Sequence, residues 1–388
     1  MRGLFHLIDR CYGYSRCSRG SRCSRFSRSS RFSRFSRFSR FSSFPHLKFL
    51  IFNFSFLIFS PSLPAAAQVV EHEQHAFPED IPAGGYSGIT WLGDSLYAVV
   101  SDNLKQDGFF RFSIQLDSLG DITSARYIDF VDAGIPGRDS EEVAWCKNRG
   151  TLFVSGEKDN EVMELSLEGK PTGKKLLLPE IIATATNNYG LEALSYNAET
   201  HRFWTTTEST LPGDGPQATP TNGVENKLRL LSFDDSLQLV EQYWYVMDKP
   251  IAEAEPQHFA HGVSALAAMD DGRLLVMERE FAVPESKIGA YVNSKIYVVK
   301  PTPCTANNKK AHCSPIDKKA PCSPPLKKEL LTEWSTAIGL LDFNIANYEG
   351  MCLGPKLKNG AQVIILIADS QNQYAGILQD YVKSLVIF

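Results

Sequence analysis

The chain has 388 residues, a net charge of −4, 43% hydrophobic residues and 22% charged ones. These averages belong to an ordinary soluble protein and exclude a collagen, a coiled coil and a multi-span membrane protein. They hide a split: residues 1–48 hold eleven Arg, one Lys and a single acid, Asp9, which leaves 28 basic and 43 acidic residues, about −15, in 49–388. Such a body excludes nucleic acid as a partner, because phosphate contacts need clustered Lys and Arg. It suits a divalent cation.

Taken in chain order, the first segment is 1–43. From Arg16 to Phe41 it is chiefly Ser, Arg and Phe, and Arg31 to Phe41 repeats Arg-Phe-Ser without a break. Single Phe residues at period three cannot build a packed core, so this leader is expected to be disordered. Residues 44–67 follow, with the apolar run LKFLIFNFSFLIFS (47–60), then Pro61, Pro64 and Ala65-Ala66-Ala67. The run is short of the roughly 20 residues that a membrane span needs. Basic flank, apolar run, helix breaker and small residues describe a signal peptide. Cleavage after Ala67 leaves 68–388, exported to the periplasm or secreted, with no stable membrane span and expected to be a monomer. That part keeps Cys146, Cys304, Cys313, Cys322 and Cys352. Cys304, Cys313 and Cys322 share a Pro/Lys-rich insertion (301–328), where one disulfide is expected in an oxidising compartment.

Five stretches of the body share one pattern: YSGITWLGDSLYAVVSD (86–102), SEEVAWCKNRGTLFVSGE (140–157), LEALSYNAETHRFWTTTE (191–208), VSALAAMDDGRLLVMERE (263–280) and YEGMCLGPKLKNGAQVIILIADS (348–370). Each opens near a Ser or Glu, forms a short strand, turns on polar residues and returns as an apolar strand ending at an acid. The return strands, such as Leu96 to Val100 and Val363 to Ile367, are short and apolar on consecutive positions, so both faces are buried. Further strands are predicted at 110–116 and 126–130, at 162–167 and 175–178, at 228–233 and 242–247, and at 295–299 and 329–334. The fifth unit has only 385–388 left. Four strands per unit, repeated, predict an all-β propeller of about five blades, six if a longer connection hides another. The N-terminal strand around 69–75 closes the ring.

The polar positions fall in two columns. The first is Ser87, Glu141, Glu192, Ser264 and Glu349; the second is Asp102, Glu157, Glu208, Glu278 and Asp369. A hairpin returns its second strand antiparallel, so both columns are expected at one mouth of the central channel. Eight carboxylates together call for neutralisation, and Ca2+, with 6–8 oxygen ligands, is the expected cofactor. Arg279, Arg138 and Lys227 are the candidate cations for an anionic substrate, and His258 and His261 precede the fourth repeat.

The motifs Gly85-Tyr86-Ser87-Gly88-Ile89, Asp139-Ser140-Glu141-Glu142-Val143-Ala144, Tyr189-Gly190-Leu191-Glu192-Ala193-Leu194, the run Asp270 to Arg279, and Asn347-Tyr348-Glu349-Gly350-Met351 resemble the phytase-like family with esterase-like activity. The resemblance spans nearly all of 78–388. It implies an exported domain whose repeated acids carry a phosphoesterase activity. The chain departs from the family at Glu142, where the pattern has Gly, and at Asp369-Ser370-Gln371-Asn372, which has one acid where two are frequent.

The expected function is therefore metal-assisted hydrolysis of a small anionic or ester substrate. Glu141, Glu192, Glu349 and Arg279 are assigned to catalysis; Asp102, Glu157, Glu208, Glu278 and Asp369 to the metal; Ser87, Ser264, Arg138 and Lys227 to substrate binding. The alternatives are a non-catalytic propeller that binds a glycan, peptide or protein, and a lactonase-type ester hydrolase. Other phosphatase classes fit poorly: His261-Gly262 lacks the preceding Arg of histidine acid phosphatases, and neither a GxSxG elbow nor a P-loop occurs. Mass spectrometry of the exported protein is expected to find a chain without residues 1–67. A chain that retains Phe52 to Phe59 would leave an uncleaved anchor instead.

Overall fold

Runs of β-branched and aromatic residues, interrupted every few residues by Gly, Asn or Asp turns, favour antiparallel hairpins over helices. The computed structural model describes residues 68–82, 84–186, 189–302, 321–339, 344–371 and 378–388. Among them the only helical element is a single 3-10 turn, Glu180–Thr184. No helix there is long and apolar enough to cross a membrane. The leader and signal peptide, and Cys304 and Cys313, lie outside the described residues.

Two short strands open the chain, β1 (Val69–Glu71) and β2 (His75–Ala76). Blade 1 is β3 (Tyr86–Gly93), β4 (Leu96–Ser101), β5 (Gln106–Leu116) and β6 (Ile122–Pro136). Blade 2 is β7 (Ser140–Cys146), β8 (Thr151–Gly156), β9 (Glu161–Leu165) and β10 (Pro171–Lys175). Blade 3 is β11 (Leu191–Asn197), β12 (Arg202–Thr207), β13 (Lys227–Phe233) and β14 (Leu239–Val246). Blade 4 is β15 (His258–Ala268), β16 (Leu274–Val283), β17 (Tyr291–Val299) and β18 (Lys328–Ala337). Blade 5 is β19 (Asn347–Lys356), β20 (Gln362–Asp369) and β21 (Tyr381–Ile387).

Each blade is an antiparallel meander, and the five make a five-bladed β-propeller. The inner strands β3, β7, β11, β15 and β19 touch their neighbours in turn around the ring. An apolar layer fills each junction. Tyr86, Tyr97 and Phe112 meet Val363 and Ile365 between blades 1 and 5, and Val100 and Phe109 meet Val143 and Val154 between blades 1 and 2. Phe153 packs on Phe203 between blades 2 and 3. Leu228 and Tyr245 meet Val263 and Val276 between blades 3 and 4, and Met277 and Ile296 meet Tyr348 and Leu366 between blades 4 and 5. Burial on both faces explains the unbroken apolar runs of the second strands.

Strand boundaries differ from expectation mainly in blade 2. The expected strand at 175–178 is β10 at 171–175, because the turn at Ser166–Lys170 is tight: Ser166 N donates to Lys170 O at 2.9 Å. The apolar Leu176 that suggested a strand is instead buried in the layer between blades 2 and 3. In the insertion, Cys322 is disulfide-bonded, with a partner outside the described residues, while Cys146 and Cys352 are free. Cys322 N donates to Gln242 O at 2.8 Å and Leu326 N to Trp244 O at 2.8 Å, so the segment covers the outer edge of blade 3.

Ring closure is antiparallel pairing of β1 with β21, Val69 opposite Ile387 and Glu71 opposite Leu385. His72 N donates to Ser384 O at 3.1 Å and Phe388 N to Gln68 O at 3.0 Å. The Lys383 ammonium reaches Glu71 at 3.0 Å. Backbone bonds carry most of this closure, because β1 is largely exposed. At about 0.5–1.5 kcal/mol per bond, removing 68–72 is expected to cost several kcal/mol, read as a lower melting temperature. An unchanged melting curve would show that the ring closes without this strand.

Candidate active site

The five inner strands carry the same irregularity. In β3 the pairing skips from Tyr86 to Gly88, in β7 from Ser140 to Glu142, in β11 from Leu191 to Ala193, in β15 from Val263 to Ala265, and in β19 from Tyr348 to Gly350. The skipped residues are Ser87, Glu141, Glu192, Ser264 and Glu349, the whole first column. A β-bulge leaves one residue without a cross-strand partner and re-aims its side chain. All five are nine-tenths buried or more.

The same pairing defines the second column and corrects one member. The residues opposite the start of each bulge are Ser101, Gly156, Thr207, Glu278 and Ala368. The next residues are Asp102, Glu157, Glu208, Arg279 and Asp369. Arg279, not Glu278, therefore occupies the blade 4 position. One residue along a strand is the opposite face, and Glu278 faces away from the others. It accepts the Tyr245 hydroxyl at 2.6 Å and Asp248 N at 3.1 Å, and it pairs with Lys328 at 2.6 Å. The expected eight carboxylates become seven plus one guanidinium.

Those seven lie within one electrostatic neighbourhood. Burial drives the Glu141 carboxyl well above the usual range, and Glu192, Asp102, Glu157 and Glu349 push it further. Burial does the same to Glu192, helped by Glu208 and Glu349 and partly offset by Arg279. Asp369 is raised by burial, then by Glu349 and Asp102, against hydrogen bonds from Gln371. Gln371 N donates to it at 2.7 Å, and the Gln371 side-chain amide also donates. Among the described residues, nothing donates a hydrogen bond to Glu141 or Glu192.

Arg279 is 5% exposed and committed to neighbouring blades. It donates to Glu208 of blade 3 at 2.6 Å, to Glu349 of blade 5, and to Asn347 Oδ1 at 3.1 Å. Asn347 in turn donates to Glu349 at 2.8 Å. Burial opposes its charge, but Glu349, Glu208 and Glu192 outweigh that and hold it protonated. Gly190, two residues before the Glu192 bulge, lies under the Glu157 side chain: a Cβ there would stand 2.7 Å from Glu157 Cγ. Gly190 N donates to the Glu157 carboxylate at 3.2 Å.

Of the other expected residues, Arg138 and Lys227 have partners of their own outside this cluster. Arg138 is buried in ion pairs with Asp159 at 2.7 Å and Asp107 at 3.7 Å. Lys227 lies on the third strand of blade 3, its ammonium 3.8 Å from the Trp244 ring centroid. Ser87 donates to Ser140 O at 2.6 Å and links blades 1 and 2, whereas the buried Ser264 hydroxyl has no partner. His261 contacts Asp248 O at 3.0 Å and lies 3.5 Å from Glu280, and burial lowers its pKa.

Sequence reasoning missed Asn347 and Gln371 as holders of acids, and the place of Glu142. The Glu142 side chain accepts Ile89 N of blade 1 at 2.8 Å and Val143 N at 2.9 Å. Burial pushes its carboxyl well above the usual range, against those bonds and one from Met351 of blade 5. A concavity of about 410 Å³ opens at the opposite end of the inner strands, lined by Trp91, Trp145, Tyr196 and Lys356 among others. It contains none of the seven acids. The convergent titratable groups lie instead at the acidic end.

The carboxylate oxygens of that end are the hard ligands that Ca2+ takes, and they share it with the Arg279 guanidinium and the Asn347 and Gln371 amides. As the side chains stand, no group of three or more His, Cys, Asp or Glu among the described residues is set to hold an ion.

A family profile described as phytase-like, "Esterase-like activity of phytase", matches residues 81–371. No protein of curated function matches. Among solved structures, an endo-arabinase from Bacteroides thetaiotaomicron is similar at 13% identity and a TM-score of 0.41, covering 81% of this chain and 98% of that one. A luciferin-regenerating enzyme is similar at 12% identity and a TM-score of 0.36, covering 82% and 95%. A streptogramin B lyase gives 11% identity and 0.33, covering 83% and 98%. Neither fold nor chemistry is argued from likenesses of this size.

Carboxyls raised in the fold favour the neutral form, so their contribution to stability is full at low pH. It is lost as pH climbs from the ordinary glutamate value of 4.5 through the folded value. In chelator, Glu141→Gln is therefore expected to raise the melting temperature at pH 8, on the order of 0.5–2 kcal/mol, and to change it little at pH 4. Differential scanning calorimetry reads both; equal destabilisation at the two pH values would show that the carboxylate is a structural acceptor.

Proposed function

The chain belongs to the phytase-like family, and on that premise we propose that it is a metal-assisted hydrolase of phosphoesters acting at the acidic end of its channel. The observation that supports this reading most is the pair of buried carboxylates, Glu141 and Glu192, raised on β-bulges within a ring of like charge and given no hydrogen-bond donor. Groups kept in so costly a state are a mark of functional sites. Ca2+ bound among these oxygens would supply positive charge for an anionic phosphoryl group and a Lewis acid for its oxygen.

The protein residues divide the remaining tasks. Asp102, Glu157 and Asp369, with Glu141, would provide hard oxygen ligands for it. Glu192, next to them and without a donor, is placed to take a proton from an attacking water. Arg279 pairs with Glu208 and Glu349 and holds them in place. Its donors reach those carboxylates and Asn347, so it acts on the acids and not directly on a phosphate. Ser264, buried with a free hydroxyl, is available to a substrate oxygen. The apolar layers around the mouth exclude bulk water and strengthen each of these interactions.

The test is turnover of phosphomonoester, phosphodiester, carboxylic ester and lactone substrates by the purified protein, in Ca2+ and in chelator. Phosphoester turnover that needs Ca2+ is expected, together with a folded Glu192→Gln variant slowed by about 10²–10⁴-fold. Turnover confined to lactones or carboxylic esters would move the protein to that hydrolase class. No turnover on any panel would leave a binding propeller.

A further inference from the structure

The end of the channel away from the acids has a pattern of its own. The fourth residue beyond each bulge is Trp91, Trp145, Tyr196, Ala268 and Leu353 in turn, and all of them line the concavity of about 410 Å³ at that end. Blades 1, 2 and 3 thus contribute aromatic rings, and blades 4 and 5 aliphatic side chains. The rings are half-buried and not in contact with one another. Tyr196 packs on Phe203, with centroids 4.4 Å apart, while Trp91 and Trp145 meet no other ring among the described residues. Two of the rings are tethered at the edge. The Trp91 indole N–H donates to Asp94 O at 3.0 Å. The Tyr196 hydroxyl donates to Asp235 at 2.8 Å and accepts from Asn148 Nδ2 at 2.8 Å. Rings fixed in this way lose little freedom when a ligand stacks on them.

The polar lining narrows the ligand class. Gln362 is 8% exposed, and its side-chain nitrogen donates to Gly354 O at 2.7 Å and Val363 O at 2.8 Å. Those bonds fix the amide and leave its Oε1 with no donor among the described residues. The Trp145 indole N–H likewise has no acceptor there, and Lys147 and Glu199 form no ion pair. Lys356 and Asp270 pair with each other at 2.7 Å. The two ammonium groups and two carboxylates of the lining offset one another, so it selects neither an anion nor a cation. A wholly apolar ligand would take water from Gln362 Oε1 and return no bond. A flat aromatic ligand wants parallel rings a slot apart, and these rings stand on separate strands. We propose that this concavity binds a neutral mono- or disaccharide. Its C–H faces lie on the aromatic rings, and its hydroxyls meet Gln362 Oε1, the Trp145 N–H, Lys147 and Glu199. The volume falls within the range of small-molecule sites. The site lies apart from the acids and does not depend on the hydrolase reading.

Calorimetric titration of the purified protein with cellobiose, maltose, xylobiose and diacetylchitobiose tests this, with tetramethylammonium chloride, sodium phosphate and adenosine as the ionic and flat-ring probes. Binding of at least one saccharide is expected, and none of the other probes is expected to displace it. Trp91→Ala and Trp145→Ala each remove one ring and are expected to weaken that saccharide by about tenfold, the worth of one aromatic contact. If an alanine variant does not fold, nuclear magnetic resonance of the wild type still decides. The saccharide is expected to shift the indole N–H signals of Trp91 and Trp145 and to leave those of Trp244 and Trp334 in place. No saccharide bound, an unchanged affinity in both alanine variants, shifts confined to other tryptophans, or displacement by tetramethylammonium, phosphate or adenosine would each overturn the proposal. Saccharide binding by a protein that hydrolyses nothing would remove the hydrolase reading and leave this site. Ca2+-dependent turnover without saccharide binding would do the reverse.

Discussion

One extra residue in each inner strand governs the chemistry of this molecule. A regular strand would send Glu141, Glu192 and Glu349 into the apolar layers between blades, because side chains there alternate between neighbouring junctions. The bulge removes each of them from the ladder at the point where the strand meets the channel mouth. The following residues resume the pattern, so Val143, Leu194 and Met351 stay buried beyond the bulge. The fold thus separates two incompatible demands within a few residues: dry packing between blades and a polar rim at one end.

Concentrating seven carboxylates, six of them buried and Asp102 half-buried, works against folding, since they lose hydration and repel one another. The propeller tolerates this because its stability is distributed elsewhere. Five apolar layers and a hydrogen-bonded closing strand hold the ring, and none of them runs through the acids. The acids are restrained locally: Asp369 by Gln371, Glu157 by Gly190 N, and Glu208 and Glu349 by Arg279.

Much of this was legible in the sequence, and the limits are instructive. The five repeats, the blade count, the closing strand and the first column follow from period and composition, because burial on both strand faces leaves an unmistakable apolar run. The second column was legible in four blades and off by one in the fourth, where Glu278 and Arg279 are adjacent. Sequence alignment counts residues, whereas the face of a strand depends on the cross-strand pairing, and the bulge shifts that pairing by one. Counting from the bulge instead of from the strand end selects Arg279. Asn347 and Gln371 left no repeat signal, since each serves one blade only. The disulfide at Cys322 was expected within its loop, but the role of 321–327 in covering β14 was not, because it depends on a partner strand far away in sequence.

Glu142 carries the same logic below the rim. The residue after the bulge is Gly88, Ala193, Ala265 and Gly350 in the other blades and Glu142 in blade 2. The inner strands come closest there: a Cβ on Gly88 would stand 2.5 Å from both Glu142 Cα and the Glu142 carboxyl oxygen Oε1. A glutamate fits only because Gly88 makes room, and its carboxyl binds the backbone of blades 1 and 2 just beneath the acids. Burial favours its neutral form, against the backbone bonds it accepts. Under this level the inner strands open again to a concavity rimmed by Trp91, Trp145 and Tyr196. The departure from the family pattern at this position therefore adds a buried carboxyl that ties blade 2 to blade 1 where Gly88 lets their inner strands approach.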